Sequence, residues 1–440
     1  MGPSSIPVEA VAENFGVFTG AAPVFRLSSE TRRLAMRYVS GDIGRSLKPA
    51  AFAMPPGALE GLSPDLAYAE VVMAIAAQAP LRILEDERLV GAATLLEATR
   101  HTTPVVPYPS TSHTTLGFDR VIREGYAGIR RHLEAREKEP VAPEERDFLR
   151  ACRRCLEAAG VWHQRYMTDL TARRDAASGP ARDRLTTLLE GLRRVPEQPA
   201  TTFHEGLQSL WLAWTFQRLC GNWSGLGRID KMLGALLKRD LETGVLSLDE
   251  AREELAHFWI KGCEWIGCAD GATGSGDAQF YQNIVLAGVD ETGRPVHNSV
   301  TDLVLDVVEE LHISDFPIAV RIGRDTPDRL LRRIAEIQRR GGGIVAIYNE
   351  DLVIRALTRF GYPLEEARDF ANDGCWEIII PGRTAFGYYP FDLLQVLQET
   401  LGLGPTRQET REFADFEALY AAFLEELAGP RFLGGIHDLL

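Results

Sequence analysis

Phe316-Pro-Ile-Ala-Val-Arg-Ile322 and Gly341-Gly-Gly-Ile-Val-Ala-Ile-Tyr348 frame the stretch whose reading decides the fold. The first is a short run rich in apolar and β-branched residues, the composition of a strand. Thr326-Pro327 then reads as a helix start, a threonine N-cap with proline at the first helical position. The helical pattern runs to about Arg340 and stops at the three glycines, after which Ile344 to Tyr348 predicts a second buried strand. Strand, helix and strand at this spacing predict a parallel pair with a right-handed crossover.

Outward from this unit the text is mostly helical. Thr201 to Cys220 carries Leu207, Leu210, Trp211, Trp214 and Phe216, a pattern that predicts a buried helix. Ser247-Leu-Asp-Glu250 has the form of a capping box and predicts a helix to about Lys261. Apolar residues at helical spacing predict another over Asn298 to Leu311, and further helices follow at about 351–360, 364–370, 391–401 and 415–427. Brief apolar strands inside many helices give an α/β class with an excess of helix, either a parallel-stranded barrel or an open sheet. In both, ligands meet loops at the strand ends. Residues 1–28, rich in Pro, Gly and Ala, read as an irregular N-terminal segment, with one domain over 29–440.

Composition narrows the function. The 440 residues carry 48 basic and 62 acidic side chains, a net charge of -14, which argues against nucleic acid or an anionic membrane as partner. No apolar run reaches membrane-spanning length, and the N-terminus lacks the basic start and apolar core of a signal peptide, so a cytoplasmic protein is expected. Six scattered cysteines suit reduced thiols better than a disulfide framework. Cys152 with Cys155, and Cys263 with Cys268, could be paired metal ligands, but neither pair lies in the turn-rich setting of a zinc ribbon. No metal is expected.

The run Ala371-Asn-Asp-Gly374-Cys375-Trp376-Glu377 carries the chemistry. Gly374 lets the backbone turn sharply and approach a ligand. A thiol at such a turn, with a carboxylate two residues on, suits nucleophilic or radical chemistry. A lone cysteine is otherwise a small buried hydrophobe.

Several segments together resemble the glycyl radical enzyme family, the pyruvate formate-lyase-like superfamily. Gly374-Cys-Trp-Glu377 with Pro381-Gly-Arg-Thr384 is similar to its thiyl-radical loop, usually Gly-Cys-Val-Glu-Pro with a later Pro-Gly-Lys-Thr. Gly225-Leu-Gly-Arg228-Ile-Asp230 resembles its Pro-Gly-Arg-Phe-Asp segment. Gln282-Asn283-Ile284 through Gly288-Val-Asp290 to Asn298 resembles its Gln-Asn-Leu and Gly-Gly-Val-Asp stretch. Gly341 to Glu350 resembles its Gly-Gly-Gly-Met-Pro-Ala-Phe-Phe-Asn-Asp strand, and Ser112-His113 with Phe118 to Gly125 its Gly-His and Asp-Tyr segment. The matches are collinear from about residue 80 to 400.

The resemblance implies part of a ten-stranded barrel of two parallel half-sheets, with the Cys loop as an inward finger. It implies a lyase of dehydratase, C–N or C–S lyase, or decarboxylase type. In it a Cys375 thiyl radical takes hydrogen from substrate inside a site shielded from water, and Glu377 is the general base. His113 and Ser224 match substrate-contacting positions, though each reads equally as a loop histidine and a turn residue. Tyr389, with Tyr388 beside it, stands where related dehydratases grip substrate with an aspartate, which points away from glycerol to a larger or aromatic-compatible substrate. Arg228 and Asp230 read as structural. The glycyl radical, which the family keeps near its C-terminus and a radical S-adenosylmethionine activase installs, has no counterpart before Leu440, since Arg359-Phe-Gly361-Tyr362 has the wrong spacing and Gly361 reads as a helix cap. The expected partners are therefore the activase, a complementary C-terminal chain and a second copy in a homodimer, with a small-molecule substrate. The alternatives are a truncated non-catalytic relative or split subunit that binds a ligand or partner chain, formate C-acetyltransferase-like acyl transfer, and a cysteine-dependent hydrolase.

Overall fold

The computed structural model describes residues 24–46, 52–92, 102–103, 111–264, 266, 282–313, 316–341, 344–384, 392–406 and 409–433. The chain falls into two units, Met1–Ala385 and Phe386–Leu440. Of the segment expected to be irregular, residues 1–23 lie outside the described residues, and 24–28 form neither helix nor strand. No helix among the described residues is long and apolar enough to cross a membrane.

Local sequence sets the helices. Phe203–Leu219 starts at Thr202, whose side chain accepts from the Glu205 amide. Leu248–Lys261 starts at the Ser247–Glu250 capping box. Ser299–Leu311 starts at Asn298, whose side chain accepts from the Val300 amide. The first two helices meet through aromatic rings: Trp211 lies edge-on to Phe258 at 5.5 Å, and Phe258 stacks on Phe316 at 5.4 Å. This buried aromatic seam ties the helical layer to the chain that enters the central strands. Cys152 and Cys155 lie in the helix Pro143–Ala176 as free thiols, and burial pushes Cys155 up to about 12. They join no cluster of three metal-donor side chains among the described residues, and Cys268 lies outside those residues.

Nine strands are described. β1 (Phe52–Ala53) and β2 (Thr102–Thr103) form a short parallel pair. β3 (Thr111–Thr115) and β4 (Asn222–Gly225) form a second parallel pair. β5 (Ile284–Ala287), β6 (Ile318–Ile322) and β7 (Val345–Asn349) form a three-stranded parallel sheet in that order. A parallel bridge from Gly227 to Ile284 links these last two sheets. Across it Leu226 N–H donates to the Asn283 carbonyl at 2.8 Å and Val285 N–H to the Gly227 carbonyl at 3.0 Å. The result is a run of five parallel strands, β3-β4-β5-β6-β7. β8 (Ala371–Asp373) and β9 (Glu377–Ile379) form an antiparallel hairpin.

The unit around residues 316–349 forms as the sequence predicts, with two corrections. The helix is Asp328–Gln338 and its cap position is Pro327, while Thr326 Oγ1 accepts from the Gly323 amide one turn earlier. β7 is not a buried strand: its residues alternate between sheltered and open, and Ile347 is 45% exposed. Among the described strands β7 pairs only with β6, so one of its edges is left open.

Period-two alternation divides the sheet into two faces. Ile284, Leu286, Ile318 and Val320 point into the main core with the helices. On the opposite face Val285 and Ala319 pack with Ala371 of β8, joined by Ala346 and Tyr348. Three of these five side chains are methyl groups, and this short surface is where the hairpin lies down.

Two arginines fix the chain as it enters the hairpin. Arg321, fully buried on β6, donates to Glu350 Oε2 at 3.1 Å, to the Phe370 carbonyl at 2.9 Å and to the Arg368 carbonyl at 2.7 Å. Its guanidinium lies 3.9 Å over the Phe370 ring. Burial pulls its pKa down to about 9, with the Arg228 charge adding to the pull. Arg228 pairs with Asp369 at 3.1 Å and donates to the Ala287 carbonyl at 2.8 Å. Asp230, held above its usual range by burial, accepts from the Ala287 amide at 2.6 Å and from Thr301 at 2.7 Å. Arg228 and Asp230 thus hold the end of β5 and the hairpin entry in place, a structural role.

Removing one partner of a buried, hydrogen-bonded ion pair strands the other. Arg321→Met is therefore expected to lower the stability of this chain by about 3–5 kcal/mol, read as a shift in the urea midpoint. A shift below ~0.5 kcal/mol, the scale of an ordinary surface substitution, would show that Arg321 does not clamp the hairpin.

Candidate functional site

The hairpin turns over three residues, with Asp373 and Glu377 paired in register at its neck. Trp376 N–H donates to the Asp373 carbonyl at 3.0 Å and closes the turn. Gly374 and Trp376 both have left-handed backbones, φ 51° and 86°. For a tryptophan that conformation costs about 1–2 kcal/mol, and it is held by Tyr348, whose hydroxyl donates to the Trp376 carbonyl at 2.6 Å. Asn283 Nδ2 donates to the Gly374 carbonyl at 3.2 Å, and Thr115 Oγ1 to the Asn372 carbonyl at 2.8 Å. A side chain at Gly225 would come within 2.8 Å of Asp373 Oδ1, so glycine there lets the hairpin neck reach β4.

His113 reaches the tip from β3. The β3–β4 register breaks between Ser112 and Thr114, and His113 is the bulged residue, with φ 59°. Bulges re-aim side chains. Here the ring comes to the hairpin turn, where a methyl group on Gly374 would lie 2.1 Å from His113 Cδ2. His113 Nδ1 shares a hydrogen bond with Ser112 Oγ at 2.8 Å, and His113 Nε2 lies 3.8 Å from Glu377 Oε1. One donor atom each from His113, Cys375 and Glu377 lies within 4.8 Å of the other two.

The sequence reading therefore names three residues that the fold brings together, His113, Cys375 and Glu377. Ser224 does not join them. It sits on β4 opposite Thr114, fully buried, with no hydrogen-bond partner for its Oγ among the described residues. Tyr388 and Tyr389 lie outside the described residues. Gly361 is a helix cap, with φ 94°: Gly361 N–H donates to the Thr358 carbonyl and Tyr362 N–H to that of Leu357, a Schellman pattern.

One expectation is not met by the described residues of this chain. A thiol shielded from water is predicted, yet Cys375 is exposed. The physical reason is the turn itself: residues 371–374 are buried against the strands, while the left-handed Trp376 swings the tip outward, leaving its own side chain 37% exposed.

Sequence reasoning missed Asp373, Tyr348 and Asn283 as site residues. Asp373 is buried, and its carboxyl is pushed up to about 9, chiefly by burial. The Gly374 and Thr114 amides draw it down, and the Glu377 charge pushes it further up. Both its oxygens are shut off from solvent, and among the described residues neither meets a donor at full hydrogen-bond geometry. Asn283 Oδ1, Asn372 Oδ1 and Glu377 Oε2 are in the same condition. Such a collection of unpaired buried acceptors is unusual, since buried polar groups are normally satisfied. It calls for donors such as water or substrate hydroxyls.

Known proteins share this arrangement of elements. The family model described as pyruvate formate lyase-like matches residues 98–429. The isethionate sulfite-lyase of Nitratidesulfovibrio vulgaris is 29% identical over 287 residues, covering 61% of this chain and 34% of that protein. The trans-4-hydroxy-L-proline dehydratase of Clostridioides difficile is 27% identical over 341 residues, covering 72% of this chain and 43% of its own length. The chain thus spans less than half the length of these curated relatives. Among solved structures, the glycerol-bound B12-independent glycerol dehydratase of Clostridium butyricum superposes with a TM-score of 0.72 at 20% identity, over 93% of this chain and 63% of that one. Helix-rich α/β architecture with parallel sheets is shared across that superposition. With most of its length matched by the family model, the chain belongs to the pyruvate formate lyase-like family.

Proposed function

We propose that this chain is the cysteine-bearing portion of a glycyl radical lyase acting on a small hydroxylated substrate. The observation that carries the reading is the meeting of Cys375, Glu377 and His113 at one hairpin tip, bordered by buried acceptor oxygens that want hydroxyl donors. Relatives that are dehydratases and sulfite-lyases support the same class. The single cysteine after Gly374, with a carboxylate two residues on, favours elimination over formate C-acetyltransferase-like acyl transfer. The five parallel strands serve as one half of a ten-stranded barrel.

Cys375 would give its S–H hydrogen atom to a glycyl radical, installed by a radical S-adenosylmethionine activase, so that the S–H bond breaks, a glycine C–H bond forms and the unpaired electron is left on sulfur. The Cys375 thiyl takes a hydrogen atom from a substrate carbon, forming S–H and leaving a carbon radical. Glu377 accepts the proton of the hydroxyl on that carbon, and the leaving group on the next carbon departs with its bonding pair. The product radical takes the hydrogen atom back from Cys375 S–H. General acid–base help of this kind contributes about 10²–10⁴-fold. His113, fixed by Ser112, orients the substrate hydroxyl beside Glu377.

Exposure of Cys375 favours a covering body over the tip, since a bare thiyl in water would be quenched. In the working enzyme, a homodimer of the anaerobic cytoplasm, we assign that cover to the other half-barrel. The same exposure favours, as a second reading, a split subunit active only with a complementary chain.

In the activated holoenzyme that contains this chain, with substrate deuterated on the hydroxyl-bearing carbon, Cys375→Ala is expected to abolish both deuterium loss and product. Glu377→Gln keeps deuterium exchange and lowers product formation by about 10²–10⁴-fold. Mass spectrometry reads both, and unchanged turnover in Cys375→Ala would end the proposal.

Gly374→Ala is expected to abolish turnover, because a methyl group meets the His113 ring at 2.1 Å on a left-handed backbone. Stability should fall by at least about 1–2 kcal/mol, the cost of left-handed φ alone. Activity and a denaturation curve check it together.

A further inference from the structure

The three side chains at the hairpin tip also form a set of metal donors. Their donor atoms lie within 4.8 Å of one another, with His113 Nε2 and Glu377 Oε1 at 3.8 Å. Around a tetrahedral zinc ion, bonds of about 2.0–2.3 Å place neighbouring donors about 3.3–3.7 Å apart. The observed triangle needs only a small side-chain closure to reach that size. Its chemistry is selective: a thiolate, an imidazole and one carboxylate suit zinc-class ions, whereas magnesium and calcium want oxygen alone.

A further observation points the same way. Metal-binding histidines use their second nitrogen to hold the ring, which fixes the tautomer and the aim of the first. His113 has this arrangement, with Ser112 Oγ on Nδ1 at 2.8 Å and Nε2 turned to the tip.

We propose that His113, Cys375 and Glu377 bind one Zn²⁺-class ion at the hairpin tip, with a fourth position open to water. On binding, the Cys375 S–H bond breaks, its proton passes to solvent and the sulfur bonds to the ion, with no change of oxidation state. The thiyl route consumes the same S–H bond, so metal occupancy and radical formation exclude each other. That consequence rests on the functional reading above, whereas the binding does not.

The full chain, reduced and metal-free, is titrated with Zn²⁺ by calorimetry in two buffers of different protonation enthalpy, and with Co²⁺ by absorption spectroscopy. Saturable binding with proton release is expected, together with a thiolate-to-cobalt charge-transfer band in the near ultraviolet. Cys375→Ala removes the band. Ser112→Ala weakens zinc binding by about 10-fold, and His113→Ala and Glu377→Ala weaken it further, with far-ultraviolet circular dichroism unchanged. A Cys152→Ser/Cys155→Ser double variant keeps both signals. Absence of the sulfur–cobalt band in the unaltered chain overturns the proposal, as does a band that survives Cys375→Ala and disappears in the double variant. None of these signals needs a radical, so failure here and failure of the lyase reading remain distinguishable.

Discussion

A hairpin backbone lying flat against a parallel sheet is the constraint on which the rest of this structure depends. Two backbones approach closely only where side chains leave room. Ala319 and Ala346 leave it on the sheet face, Ala371 leaves it on the hairpin, and Gly225 leaves it at the hairpin neck. Alternation sends the larger Ile284, Leu286, Ile318 and Val320 to the other face, where they anchor the sheet to the helices. The strands therefore do two tasks with one period: one face builds the core, and the other is kept shallow for the loop that carries Cys375.

Close approach alone would let the hairpin slide. Position is fixed by polar contacts aimed at backbone rather than at side chains. Arg321 holds the carbonyls of Arg368 and Phe370, Asn283 that of Gly374, Thr115 that of Asn372 and Tyr348 that of Trp376. Each donor comes from a different strand or its edge, so the turn is referenced to much of the five-strand run. Hydrogen bonds to backbone locate a loop without using up the side chains it presents. Donors are thus spent on holding the turn, while acceptors on Asn372, Asn283 and Glu377 are left over among the described residues. The imbalance has a direction, and it favours ligands rich in hydroxyl hydrogens.

Much of this was legible in the sequence, for physical reasons that can be named. Helices were readable because their signals are local, the capping box at Ser247–Glu250 and the apolar period over Asn298 to Leu311. The parallel β6–β7 pair was readable because its crossover is short and punctuated by proline and glycine. Cys375 and Glu377 stand two residues apart, so their proximity needed little tertiary structure. His113 could be named only through resemblance, because its arrival depends on a bulge that local propensity does not encode. Asp373 belongs to the same run as Cys375, but nothing in an Asn-Asp-Gly sequence says that the acid is buried, since burial comes from Gly225 on a strand almost 150 positions earlier. The expected shielding of Cys375 failed for a similar reason. Shielding belongs to whatever faces the tip, and a turn's own residues decide only which way it points.

Left-handed backbone at His113, Gly374 and Trp376 shows how that direction is imposed. Two of the three are residues that resist this conformation, and strain of this kind persists where surrounding contacts over-determine it. His113 is held by Ser112 on one side and by the turn against its ring on the other. Trp376 is held by Tyr348. If the strain were released, His113 would return to strand register and Trp376 to extended backbone. Imidazole, thiol and carboxylate would then part. The cost of the strained residues is therefore the cost of convergence itself, and it is borne by the rigid strands beneath, leaving the tip free to offer its three donor groups together.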